Sequence, residues 1–179
     1  MNITATTLLG LEALREFEPG DLELLLGATT ERRFAPGATL LEEGAFGASC
    51  FVLVEGEVEV TRRVADGERV IGVRRAGALL GAMALVDRAP RSATMRAQTP
   101  VVALELSRDV FEGLLDACSP LALRFQERVA VLGIRQLRHA TARLMEALTA
   151  QDVPSQVDEI RDVRSATREG VSPAAMTER

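Results

Sequence analysis

The sequence predicts a mainly β domain, an antiparallel barrel or jelly roll with flanking helices and a long C-terminal helix. Three observations carry this: short apolar runs of period two between Arg33 and Leu106, glycines between those runs, and a return to helical spacing after Ser107. At 179 residues the chain has room for one domain of about 100 to 150 residues plus an appendage. With 47% apolar and 26% charged residues it lies outside the low-hydrophobicity, high-charge disordered class, so a packed core is expected.

Leu8 to Phe17 carries apolar residues at helical spacing. Pro19-Gly20-Asp21 then offers a break and an N-cap before Leu22 to Leu26, and two short helices are expected. Phe51-Val52-Leu53-Val54 and Val58-Glu59-Val60 typify the strands that follow. Gly37, Gly44, Gly47, Gly56, Gly67, Gly72, Gly77 and Gly81 recur at the spacing of strand corners, where a residue without Cβ takes φ > 0. That spacing suits a closed roll better than an open sheet. Ser107-Arg108-Asp109 caps a short helix through Leu115, and Ser119-Pro120 opens a longer one reaching about Ala150.

Along the long helix Ala130, Leu137 and Leu144 repeat every seven residues, with Ile134, Thr141 and Leu148 interleaved and Arg and Glu between. This seam suits a second copy of itself, so a homodimer through residues 121–149 is expected. Packing of the same face on its own β-domain is the alternative. From Gln151 the periodicity stops, with Pro154, Pro173 and scattered charge, which predicts a domain over 1–150 and a flexible tail over 151–179.

Several function classes drop out. Without Trp or Tyr, base-stacking platforms are scarce, which disfavours single-strand nucleic-acid binding. The net charge is −5 and the basic residues are interspersed with acids, so the footprint of a DNA-binding protein is missing. Every basic residue is Arg, a usage we attribute to a GC-rich bacterial genome. Met1 to Gly10 lacks a charged region followed by a long apolar run, and no stretch approaches the roughly 20 apolar residues of a membrane span. A cytoplasmic location without membrane contact is expected. Cys50 and Cys118 lie far apart without metal or redox spacing and read as buried apolar thiols. His139 sits in a charged helical segment and reads as a surface histidine. No nucleophile–base pair or His–carboxylate cluster is evident, so no catalytic residue, metal or cofactor is expected.

With strands and corners placed, two stretches carry a family resemblance. Phe34-Ala35-Pro36-Gly37, Leu40, Glu43-Gly44, Gly47, Phe51-Val52-Leu53 and Gly56-Glu57-Val58 resemble the first half of a cyclic-nucleotide-binding domain. Leu80-Gly81-Ala82-Met83-Ala84-Leu85 followed by Pro90-Arg91-Ser92-Ala93-Thr94 resembles that family's phosphate-binding cassette in length, order and most side-chain types. The resemblance covers about Leu8 to Ala150 and implies a β-roll that binds cyclic AMP or cyclic GMP. Gly81 lets the backbone approach a phosphate, and the amides of Ala82, Met83 and Ala84 open a short helix whose dipole favours an anion. Arg91 supplies a guanidinium for the cyclic phosphate and Ser92 one further donor. Arg135, Gln136 and Arg138 on the long helix are weaker candidates for contacts to the base.

Two departures limit what the resemblance implies. Ala82 stands where nucleotide-binding members place a Glu that accepts the ribose 2′-hydroxyl, and Asp87, Glu42 and Glu43 offer no obvious stand-in. Transcription regulators of the catabolite activator kind need a winged helix-turn-helix after the long helix, and 153–179 lacks two amphipathic helices with a basic face, so DNA binding is not expected. Two readings follow. One is a regulatory sensor that signals through its long helix to a protein partner. The other is a ligand-independent interaction module that keeps the fold. A cyclic dinucleotide is a lesser alternative within the first.

Overall fold

The computed structural model describes residues 3–151. It opens with α1 (Ala5–Leu9), a 3₁₀ turn at Glu12–Leu14 and α2 (Pro19–Ala28). Thr4 caps α1 by accepting from the Thr7 amide at 3.3 Å. The second cap differs from expectation: Pro19 begins the helix instead of breaking the chain, because an N-terminal position has no helical acceptor to lose. Glu18 is the N-cap residue, and its amide donates to Asp21 Oδ2 at 3.3 Å.

Eight strands follow: β1 (Thr30–Phe34), β2 (Thr39–Leu41), β3 (Ser49–Glu55), β4 (Glu57–Val64), β5 (Gly67–Arg75), β6 (Leu79–Leu80), β7 (Thr94–Ala97) and β8 (Val101–Ser107). They form two four-stranded sheets, in the orders β1-β8-β3-β6 and β2-β7-β4-β5, with every pairing antiparallel. This is the jelly-roll architecture the sequence predicts. Between β6 and β7 lies α3 (Ala82–Asp87); after β8 come α4 (Arg108–Asp116) and α5 (Pro120–Gln151).

Strands β3 and β8 are apolar on both faces because each serves two cores. Phe51, Leu53, Val101 and Ala103 join Leu41, Val58, Leu80 and Ala97 in a cluster drawn from both sheets. Their alternates Cys50, Val52, Leu104 and Leu106 join Leu8, Leu14, Leu22, Leu25, Phe111 and Phe125 of the helices. The Phe34–Phe51 and Phe111–Phe125 rings meet at centroid distances of 5.8 Å and 5.6 Å. Arg124 pairs with Asp21 and with Glu18 (3.0 Å), and Arg128 with Glu16 (3.5 Å), fixing the start of α5 to the N-terminal helices.

One compact unit ends at Ile134 and a second begins at Arg135, within α5. Leu121, Ala122, Phe125 and Val129 are buried, whereas Ile134, Leu137, Leu144, Met145 and Leu148 are exposed. The expected tail lies, apart from Gln151, outside the described residues. Cys50 is buried as expected, but Cys118 is exposed: it closes the α4–α5 corner at φ 51, where a turn residue faces solvent. His139 is exposed. Among the described residues no helix is long and apolar enough to cross a membrane.

Candidate functional site

The site is assembled where β6 hands over to α3. Leu79 and Leu80 pair with Val52 and Phe51 of β3, which anchors the backbone one residue before the turn. Gly81 then takes φ 70 and ψ 11 as the N-cap of α3. A side chain there would be strained, and a Cβ would lie 2.9 Å from Leu41 Cδ1 and 3.0 Å from Arg91 Cζ. In α3, Ala82 and Ala84 are buried and Met83 is exposed, its sulfur 3.6 Å from where a Cβ on Gly133 would stand.

Arg91 returns to this turn from the other end of the cassette. Its amide donates to Ala45 O at 2.9 Å and its carbonyl accepts from the Gly44 amide at 2.8 Å, while Phe46 and Pro90 form an isolated bridge. The loop 44–49 is thereby zipped to the cassette exit. The Arg91 side chain turns inward, only 6% of the residue being exposed. Nη1 donates to Gly81 O at 2.7 Å and Nη2 donates to Ser49 O. Burial holds this guanidinium below its usual pKa range; the nearby Cys50 thiol opposes that shift and the charge of Arg108 reinforces it.

A second arginine, read from sequence only as part of a helix cap, belongs to the same assembly. Arg108 Nη2 donates to Gly47 O and to Ala84 O, both at 2.7 Å. Among the described residues neither Arg91 nor Arg108 forms an ion pair with a carboxylate. Two cations therefore stand at one turn on neutral carbonyl acceptors, an arrangement that favours an anion. A signal for Arg108 did exist: a cation in the first turn of a helix opposes the helix dipole and so calls for another role.

The structure brings Gly81, Ala82, Met83, Ala84 and Arg91 to one place. Ser92 follows Arg91 in sequence but is exposed. Arg135, Gln136 and Arg138 are exposed and belong to the second unit. The acids near the cassette are engaged elsewhere: Glu43 accepts from the Arg63 amide at 2.7 Å, and Asp87 from the Ala89 amide at 2.9 Å. Among the described residues no group of His, Cys, Asp or Glu side chains could hold a metal ion.

Comparison with known proteins bears on residues 31–118, which match the cyclic nucleotide-binding domain family. Over 113 residues the chain is 31% identical to acetyltransferase Pat of Mycolicibacterium smegmatis, covering 63% of this chain and 34% of that protein. It is 34% identical over 105 residues to the cAMP-dependent protein kinase regulatory subunit of Aspergillus fumigatus, covering 59% and 24% respectively. The chain therefore spans about a third or less of these relatives' lengths. Among solved structures, the catabolite activator protein of Thermus thermophilus superposes with a TM-score of 0.67 at 27% identity, covering 76% of this chain and 62% of that one.

Proposed function

Since the chain belongs to the cyclic nucleotide-binding domain family through residues 31–118, we propose that it is a regulatory sensor whose Arg91 turn seats the phosphate of a cyclic nucleotide, cyclic AMP or cyclic GMP. The observation that carries this is Arg91 itself: a guanidinium buried at Gly81, with carbonyls for acceptors and, among the described residues, no carboxylate to neutralise it. A cyclic phosphate is a monoanion with paired oxygens, and it forms stronger charge-assisted hydrogen bonds with a guanidinium than a peptide carbonyl does. Exchange of Gly81 O and Ser49 O for phosphate oxygens would reset the turn and α3. The chain's part is binding and relay, without catalysis, through α4 and α5 to a protein partner. The exposed seam at Ile134, Leu137, Leu144 and Leu148 would pair two copies.

A second reading, a ligand-independent interaction module, is favoured by Ala82. That residue is only 6% exposed, lies in the helix-side core cluster and offers nothing to a ribose hydroxyl. The two readings separate in an amide-correlation NMR titration of the full chain with cyclic AMP and cyclic GMP. The sensor reading expects saturable shifts at Gly47, Gly81, Ala82, Met83 and Ala84. Spectra unchanged up to millimolar nucleotide would overturn it and favour the module.

A further inference from the structure

We infer that Arg108 is a positioning residue that fastens the loop 44–49 to α3 and ties the occupancy of the Arg91 seat to the start of α4. Its ligand-linked half rests on the sensor reading above. Three bonds from one residue make the joint. The Arg108 amide donates to Ala48 O at 2.7 Å, and Nη2 donates to Gly47 O and Ala84 O at the same distance. The loop is therefore held at two successive carbonyls and α3 at a third, all by the residue that begins α4.

The arrangement carries local costs that capping or packing does not call for. Ser107 already caps α4, its hydroxyl accepting from the Val110 amide at 3.3 Å, so Arg108 is not needed as the cap. A cation in the first helical turn opposes the dipole. The Nε of Arg108, like that of Arg128, is buried without a hydrogen-bond partner among the described residues, a condition that asks for an explanation. Holding the ligand turn closed supplies one.

Arg91 spans the same gap one step along, from Ser49 O at the start of β3 to Gly81 O at the N-cap of α3. The turn is thus stapled twice, by two like charges that repel each other. An anion on Arg91 draws its donors off these carbonyls and relieves the repulsion. The loop then depends on Arg108, and any shift of loop or α3 is delivered to the first residue of α4. Reciprocity requires that whatever holds α4 also changes affinity at the seat.

The test uses Arg108→Gln and the milder Arg108→Lys in the full chain, the second keeping the charge should the first fail to fold. Hydrogen exchange without ligand is followed at the amides of Gly44, Arg91 and residue 108, whose acceptors are Arg91 O, Ala45 O and Ala48 O, with β1 and β8 as reference. We expect exchange at those three amides to quicken by about tenfold while β1 and β8 are unchanged, and cyclic AMP binding to weaken by about tenfold. Unchanged exchange at the joint overturns the inference. So does a uniform rise that includes β1 and β8, which would mark a merely structural residue, or a loosened joint with unaltered affinity. If the parent protein binds no cyclic nucleotide, the sensor reading and the link to occupancy fall together, and the exchange data alone decide whether Arg108 fastens the loop.

Discussion

The guanidinium of Arg91 lies against the bare Cα of Gly47, so close that a Cβ on residue 47 would overlap Cζ, Nε and Nη2. Gly47 is absent from the glycines with positive φ, so its smallness serves the arginine and not a backbone turn.

Gly47→Ala should therefore act through Arg91. The overlapping atoms are the far end of a flexible side chain, so the fold survives while the guanidinium leaves its carbonyl partners. Cyclic-nucleotide affinity should fall as far as it does in Arg91→Ala, and Gly47→Ala/Arg91→Ala should lose no more than either single variant. Titration calorimetry on the double-mutant cycle checks this; additive losses would separate the two residues.

Ala82→Glu places a carboxylate where the residue is 6% exposed. The unfolding free energy should fall by about 1 to 3 kcal/mol without ligand, the cost of burying an unpaired polar group. Saturating cyclic AMP should recover part of that loss if the new carboxylate finds a ribose hydroxyl. Thermal melts with and without nucleotide read both effects.

Burial pushes the Cys50 thiol up to about 12 from 9.0, against a smaller downward pull from Arg91. With the folded pKa above the unfolded one, the unfolded state loses its proton first, so the stabilisation is complete below pH 9.0 and is lost as pH rises through about 12. Stability should fall by at most about 1.4 kcal/mol per pH unit in that window. Urea midpoints measured across it should show this slope in the parent and lose it in Cys50→Ala. Cys118, being exposed, should react with a thiol reagent in the native protein, with Cys50 following only on unfolding.

Replacing Leu137 and Leu144 by Glu should turn a dimer into a monomer in sedimentation velocity without changing the thermal midpoint of the β-roll. Both side chains are exposed, at 68% and 59%, so neither substitution touches a described core. A parent that sediments as a monomer at high concentration would overturn the dimer.

Much of the roll was legible because its signals are local. Period two marks β3 and β8, and Gly37, Gly44, Gly56, Gly67, Gly77 and Gly81 do take positive φ at corners. The cassette was legible too, since Gly81 and Arg91 stand in one short stretch. What escaped depends on long-range contact. Arg108 meets Gly47 across 61 positions of sequence, and Gly47 owes its identity to a side chain 44 residues on. Pro19 could be read as a breaker or as a first helical residue, and only the packing of Leu22 and Leu25 into the core decides for the helix.

Receipt of a nucleotide phosphate by Arg91 is measured by calorimetric titration of the full chain and Arg91→Ala with cyclic AMP and cyclic GMP. Saturable binding to the parent is expected, weakened roughly 10- to 150-fold in Arg91→Ala, as loss of a hydrogen bond to a charged group implies. Equal affinity for parent and variant would contradict it.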